Sequence, residues 1–137
     1  MYWAQKGGGA YKNEEKLQVS HRRLKDSYIS WETHLEKAEN KEIWNNLQKL
    51  TIFSKILASG WEFTMIAAGK IDARVTFDPY GTDYDFAPGS LLVSEAGGKV
   101  ANISSNDYDY RNTSFIAANP LIYSELTEGN NALFPIK

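Results

Sequence analysis

The sequence predicts an α/β fold, in which helices cover a layered, largely parallel sheet. The main observation is that residues 71–98 read as a strand, an acidic loop and a helix in succession. A second observation is that strand-like and helix-like segments alternate on both sides of this stretch. Helices between strands are the usual way to connect parallel neighbours, so the order of the segments favours this class.

The central stretch has clear boundaries. Residues 71–77 alternate apolar and polar side chains, the period of a half-buried strand. Asp85 then opens an apolar run that Gly97 and Gly98 close, as an N-cap and a C-terminal glycine end a helix. Pro88 is expected in the first turn, where a missing N–H has little cost.

The first twenty residues are predicted to form strands joined by tight turns. Asn13 and Glu14 suit a turn, and 17–19 suits a strand after it. Three consecutive glycines at 7–9 raise the alternative of a phosphate-binding loop. They lie between strand-like segments without Gly-Lys-Ser/Thr or GxGxxG spacing, which favours a hairpin.

The middle of the chain is predicted to contain two strands and two helices. Strands are expected at 27–31 and 50–53, and apolar residues at helical spacing predict a helix over 40–49. The S-x-x-E spacing that begins at Ser59 is typical of a capping box, and Gly69 is a good end for that helix.

The last third is predicted to add two strands and a short helix. The strands are expected at 99–103 and 113–117, and the helix at 121–128. His21 and His34 lie in charged surroundings without a second metal ligand four residues on, so both are interpreted as surface residues.

Composition indicates an ordinary globular protein. With 137 residues, 15 basic and 17 acidic side chains, the net charge is −2, and no basic stripe suggests nucleic-acid binding. The absence of cysteine excludes disulfides and thiolate metal sites. No apolar run approaches the ~20 residues that span a bilayer, and no signal peptide is apparent, so a cytoplasmic location away from membranes is expected.

Three groups of residues, in order along the chain, carry a family resemblance. They read GGGAY with LQVS, then IDA with YDFAPG and SEAGG, then FIAANP, at 7–11, 17–20, 71–73, 84–89, 94–98 and 115–120. The pattern resembles the inositol monophosphatase superfamily of metal-dependent sugar-phosphate phosphatases. The match covers only the C-terminal half of that family. The resemblance therefore implies a remnant of an N-terminal lobe at 1–20 and a C-terminal α/β lobe at 21–137.

The resemblance also implies site residues. Asp85 corresponds to a metal-ligating aspartate of the family, whose cofactor is Mg²⁺. The backbone near Leu57 and Ser59 and the side chain of Thr76 would line the substrate side. Leu57 replaces a family glycine, and Thr76 stands where many inositol phosphatases carry a substrate-binding glutamate, so inositol specificity is not implied.

The remaining metal ligands of the family, a glutamate and a D-P-x-D-G-T loop, belong to the half that this sequence does not match. Residues 78–83 read DPYGTD and imitate that loop, but glycine replaces its second aspartate. They are interpreted as the variable loop in front of Asp85. Asp85, even together with Asp83, is expected to bind Mg²⁺ weakly, because this ion gives up its hydration water reluctantly.

The sequence therefore predicts a truncated, inositol-monophosphatase-like phosphatase that acts on a small phosphate monoester and is inactive alone. Its expected partners are a small phosphorylated substrate and either further copies of itself or a complementary N-terminal half. Two alternatives stay open: a non-catalytic binding or assembly module that kept the fold, and a metal-independent binder of a sugar or nucleotide in which Asp85 is only a helix cap.

Overall fold

The computed structural model describes residues 1–55, 61–80 and 83–137, with 53–55 and 83–85 described by secondary structure only. The N-terminal residues form a three-stranded antiparallel sheet in the order β1-β2-β3, with bounds Tyr2–Gln5, Gly9–Lys12 and Glu15–Lys16. Residues 6–8 form its first turn, with Gly7 and Gly8 in the turn and Gly9 at the start of β2, and residues 13–14 form its second. Residues 17–19 are not a strand.

A five-stranded sheet lies at the centre of the fold, in the order β5-β4-β6-β8-β7. Its strands are β4 (Tyr28–Glu32), β5 (Phe53–Lys55), β6 (Ala73–Thr76), β7 (Lys99–Asn102) and β8 (Phe115–Ala118). Strand β4 runs parallel to β5 and β6, whereas β8 runs antiparallel to β6 and β7. The layered α/β class is thus confirmed, but parallel pairing is limited to one half of the sheet, because β7 returns to β8 through a loop without a helix.

The helices cover this sheet at the places the sequence predicts, with shifted boundaries. They are α1 (Ala38–Lys49), α2 (Trp61–Ala67), α3 (Asp83–Glu95) and α4 (Pro120–Thr127). Helix α3 begins at Asp83, three residues before Phe86, the first residue after the predicted N-cap. Asp85 is therefore inside the first turn instead of capping it, and Pro88 lies beyond the first four N–H groups, the ones without an intrahelical partner. Ser59, the predicted cap of α2, is outside the described residues.

Strand β6 is buried on both faces, not half-buried as its alternation predicts. Phe63, Phe86 and Phe115 belong to the hydrophobic cluster on the α2–α3 side of the sheet. Ala73, Val75 and residues of α1 and α4 belong to the cluster on the other side. The polar residues that alternate along β6 are consequently inside the protein and need partners there.

Helices α2 and α3 approach each other closely at Gly89. A Cβ atom at this position would overlap the ring of Phe63, so the helix contact requires glycine. Helix α2 ends at Ala67, and the turn that follows it contains Gly69, whose φ of +75° is a left-handed conformation that favours glycine.

Asp72 links the N-terminal segment to the sheet through a buried hydrogen-bond network. The hydroxyl of Ser20 donates to its Oδ1, and Arg22 Nε donates to the same oxygen at 2.8 Å. Oδ2 accepts from the backbone N–H of Tyr28 at 2.8 Å, at the start of β4. Asp72, which belongs to the IDA group and directly precedes β6, thus has a structural role in this fold.

Asn119 extends the same network to the C-terminal helix. Its Nδ2 donates to Ser20 Oγ at 3.0 Å and to the carbonyl of Arg22 at 3.0 Å. Its Oδ1 accepts from the N–H of Ile122 at 2.9 Å and caps α4. Three segments that carry the family resemblance therefore meet in one cluster of polar side chains.

A separate property of the fold concerns membranes. Among the described residues, every helix is too short or too polar to cross a bilayer.

Replacing Asp72 with alanine should lower the free energy of unfolding by about 2–4 kcal/mol, because the buried donors of Ser20 and Tyr28 lose their acceptor. Asp72→Asn should have a smaller effect, since one acceptor oxygen is kept. Urea denaturation measures both. Asp107→Ala, at an exposed position, is the matched control and should change stability by less than about 0.5 kcal/mol. Equal losses in Asp72→Ala and the control would contradict the structural role of this network.

Candidate functional site

The candidate site is the edge of the sheet where β4 and β6 end. These strands are parallel neighbours, and their last residues, Glu32 and Thr76, are paired in register. Their carboxyl ends therefore open at the same edge, the usual place for ligands in α/β sheets. Helix α3 follows the loop after β6, and α2 follows the segment after β5, so both helices start near this edge.

Arg74 lies fully buried behind this edge. Its guanidinium forms an ion pair with Glu62 in the first turn of α2, whose side chain is also buried. Its Nη2 lies 3.2 Å from Glu32 Oε1, and its Nε donates to Thr76 Oγ1 at 2.9 Å. A buried arginine is tolerated only when it is paired and hydrogen-bonded, and these partners meet that condition.

Two aromatic rings enclose the Arg74 guanidinium. Its Cζ lies 5.4 Å from the ring centroid of Phe63 in α2 and 5.1 Å from that of Phe86 in α3. Distances below about 6 Å allow a cation–π attraction, which strengthens when water is excluded. Arg74 therefore connects the first turns of both helices to the end of β6.

Of the predicted site residues, the structure describes the side chain of Thr76 but not those of the other three. Leu57 and Ser59 lie outside the described residues, and Asp85 is described only as part of the first turn of α3. Thr76 is at the carboxyl end of β6, but its side chain is buried and its hydroxyl accepts from Arg74. The proposed substrate and metal roles of these four residues stay predictions.

Sequence reasoning missed Arg74, Glu32 and their joint contact. Arg74 is one of the alternating polar residues of a strand that was expected to face water on one side. The signal that could have identified it is the flanking of this strand by two helix-like segments, because a strand covered on both faces buries its charged residue as well.

Asp78, the first residue of the DPYGTD segment, makes contacts with α1 and the residue before it. Asp78 Oδ2 accepts from Lys37 Nζ at 2.6 Å and from Asn40 Nδ2 at 2.9 Å. These hydrogen bonds hold the pKa of Asp78 below its usual value, and the one from Lys37 has the largest effect. The φ of +48° at Asp78 is in the left-handed region, so the backbone turns at this residue instead of continuing in an extended conformation. Asp78 is thus engaged by Lys37 and Asn40, and the interpretation of residues 78–83 as an imitation of the metal motif stays a prediction.

A second polar group lines the outer rim of the edge. The His34 and Tyr80 rings lie with centroids 3.7 Å apart, and Glu36 accepts from the Tyr80 hydroxyl at 3.1 Å and lies 2.9 Å from His34 Nδ1. His21 is exposed, as predicted, whereas His34 is only partly exposed because Tyr80 covers it.

The oxygen donors near this edge do not form a Mg²⁺ site among the described residues. Among the described residues, no group of three or more His, Asp and Glu side chains could hold a metal ion. The carboxylates near the edge are already paired: Glu62 and Glu32 with Arg74, and Asp78 with Lys37. The described residues therefore do not fit Mg²⁺, and Asp85 would need ligands from beyond them.

The glycine turn of the N-terminal sheet binds an anionic group of its own chain. The backbone N–H groups of Gly7 and Gly9 donate to the two carboxylate oxygens of Glu95 at 3.1 and 3.0 Å. These hydrogen bonds hold the pKa of Glu95 below its usual value. The turn thus attaches the N-terminal sheet to the C-terminal end of α3, and the hairpin interpretation of the three glycines is confirmed.

Comparisons with known sequences point to one family. The sequence model of the inositol monophosphatase family matches residues 1–135. An inositol monophosphatase of Dictyostelium discoideum is 30% identical over 139 residues, which cover 93% of this chain and 49% of that protein. An inositol-1-monophosphatase of Caulobacter vibrioides is 29% identical over 137 residues, which cover 93% of this chain and 52% of that protein. The chain spans about half the length of the curated relatives that it matches.

Solved structures support the same fold. The IMPase of Thermotoga maritima superposes with a TM-score of 0.78 at 28% identity, over 90% of this chain and 48% of that one. A staphylococcal IMPase-II with bound inositol monophosphate gives a TM-score of 0.80 over 96% of this chain and 52% of that one. At 23% identity, this second likeness concerns the fold alone.

Glu95→Gln should destabilise the protein at neutral pH, and the difference from wild type should shrink in acid. Because the pKa of Glu95 is lowered in the folded state, its ionised form stabilises that state above roughly pH 4.3, the ordinary value for glutamate. This contribution is lost as the pH falls through the lowered pKa. Urea denaturation of both proteins between pH 7 and pH 3 measures it. Exposed Glu14→Gln is the control; a Glu95→Gln difference independent of pH would contradict the assignment.

Proposed function

We propose a function from one premise: this chain belongs to the inositol monophosphatase family, whose sequence model matches residues 1–135. The proposed activity is Mg²⁺-dependent hydrolysis of a small phosphate monoester, a sugar or inositol phosphate, at a site of which this chain supplies one part. Bound Mg²⁺ would neutralise phosphoryl oxygens and make a water nucleophilic.

The arrangement of β6 and α3 carries this proposal. The strand ends at the open edge of the sheet, and the helix that follows places Asp85 in its first turn. A carboxylate at a sheet edge and a helix start is suited to bind a cation beside an anionic substrate. We assign Asp85 the role of metal ligand on this ground.

The substrate side is assigned to the neighbouring elements. The backbone around Leu57 and Ser59 precedes α2, and the Arg74–Glu62 ion pair fixes the first turn of that helix. Thr76 ends β6 beside Glu32. In this arrangement the buried Arg74 contacts Glu62 of α2 and Phe86 of α3, and so holds the start of α2 in place relative to α3.

The chain alone is proposed to be inactive. Its described carboxylates do not fit Mg²⁺, and the matched relatives are about twice as long. The missing ligands would come from a complementary half or from another copy. Strand β1, at one edge of the N-terminal sheet, presents Tyr2 and Trp3 with 38% and 42% of their surfaces exposed, which supports association at this side.

The test is a calorimetric Mg²⁺ titration of this chain with turnover of p-nitrophenyl phosphate recorded on the same sample. We expect millimolar or weaker binding and no turnover above buffer, because one carboxylate holds this ion weakly. Adding the separately produced remainder of a relative should give Mg²⁺-dependent turnover. Asp85→Asn should abolish that turnover, whereas Asp107→Asn, at an exposed position, should not.

Two other results of this experiment would contradict the proposal. Tight, Asp85-dependent binding with turnover by the chain alone would overturn the proposal that its site is incomplete. Folded protein that neither binds Mg²⁺ nor gains activity with any complementary half would favour the non-catalytic binding or assembly module.

A further inference from the structure

A cavity lies between the N-terminal sheet and the end of α2. Its volume is about 260 Å³, and its lining includes lysines from three segments: Lys12 in β2, Lys16 in β3 and Lys70 in the turn after α2. Glu15 is the one carboxylate among the described residues that line it. Three lysines and one glutamate give this lysine cavity a formal charge of +2, in a chain whose net charge is −2.

The lysines of the cavity are available to a ligand. Within the described part of the chain, none of the three forms an ion pair. Lys12 and Glu15 are register partners across β2 and β3, yet Lys12 Nζ lies over the ring of Tyr2, 5.7 Å from its centroid. Tyr2 also lines the cavity, so this cation–π contact keeps the charge of Lys12 at the cavity wall.

The backbone around the lysine cavity is fixed by the chain itself. The turn after α2 packs tightly on the segment that follows β3, because a Cβ atom at Gly69 would lie 3.1 Å from the carbonyl oxygen of Gln18. Arg22 Nη2 also donates to the Gly69 carbonyl at 2.6 Å. The backbone of Lys70 is thereby held opposite β2 and β3. A preformed site loses less conformational entropy when a ligand binds.

The carboxyl end of α2 does not oppose an anion in this cavity. A helix end of this kind carries partial negative charge on its free carbonyl oxygens. In α2, the carbonyls of Met65 and Ile66 accept from the N–H groups of Lys70 and Gly69 at 2.9 and 3.0 Å. Because these acceptors are satisfied within the turn, the side chains of the lining determine the sign of the local potential.

We propose that the lysine cavity binds a diphosphate group, either as free pyrophosphate or as part of a nucleotide. Lysine is a common phosphate ligand, and two linked phosphates reach lysines on different segments. The volume lies just below the range of drug-sized ligands, which favours a compact anion. The site is separate from the candidate functional site, because α2, about 10 Å long, starts near that edge and ends at the cavity. The inference does not depend on the proposed phosphatase function.

The experiment is a titration of the ¹⁵N-labelled chain with pyrophosphate, followed by NMR, in EDTA so that no metal ion contributes. Amide signals of residues 12, 15–18 and 68–70 should shift, whereas those of Glu32 and Thr76 at the candidate functional site should not. Pyrophosphate should bind about fivefold or more tightly than inorganic phosphate, because its second phosphate adds ion pairs. A titration with ADP distinguishes the sources: equal affinity indicates recognition of the diphosphate alone, and tighter binding indicates a nucleotide.

Charge variants test the location of the site. Lys12→Gln and Lys70→Gln should each lower the affinity for pyrophosphate about two- to fivefold, as for the loss of an exposed ion pair. Lys41→Gln, at an exposed position of α1, is the control and should behave as wild type. Glu15→Gln should raise the affinity by a similar factor, because it removes the negative charge from the lining. Glu14→Gln, its exposed neighbour, should have a smaller effect.

Three results would overturn the inference: no binding of pyrophosphate, equal affinity for phosphate and pyrophosphate, or an affinity that the lysine variants and Glu15→Gln leave unchanged. Shifts confined to Glu32, Thr76 and their neighbours would also overturn it, and would place the anion at the candidate functional site instead. Glu15→Gln keeps the test valid if a lysine variant does not fold, since it predicts a gain of affinity that damage to the fold does not produce.

Discussion

The buried guanidinium of Arg74 constrains both helices that begin at the candidate site. It lies between the rings of Phe63 and Phe86 and forms an ion pair with Glu62. Removing such a charge from water is costly unless every partner is in place, so α2, α3 and the end of β6 must adopt one arrangement together. The close contact of Gly89 with Phe63 allows the two helices to enclose the arginine.

Hydrogen bonds of a few carboxylate and amide side chains join the remaining segments. Asp72 connects Ser20 to the start of β4, and Asn119 carries this network to α4. Glu95 connects the glycine turn to the end of α3. Several polar residues of the family-like segments are therefore occupied in holding the fold.

The order of elements could be predicted from the sequence because periodicity and turn residues are local signals. The helix after the acidic loop and the glycine hairpin were identified in this way. The burial of β6 on both faces could not be predicted, because it depends on which helices cover the sheet. The antiparallel pairing of β8 follows from the path of a loop, which periodicity does not report. The ion pairs of Arg74 depend on residues far apart in the chain, and only tertiary packing brings them together.

The most direct measurement is a double-mutant cycle on Arg74 and Glu62 by urea denaturation. Arg74→Met alone should cost about 3–5 kcal/mol, because it leaves the buried Glu62 carboxylate uncompensated, and Glu62→Met alone should cost a similar amount. The double variant should recover most of this loss, since both buried charges are then replaced by apolar side chains. Losses that simply add in the double variant would contradict the account, because Arg74 and Glu62 would then not form the interaction that joins β6 to α2.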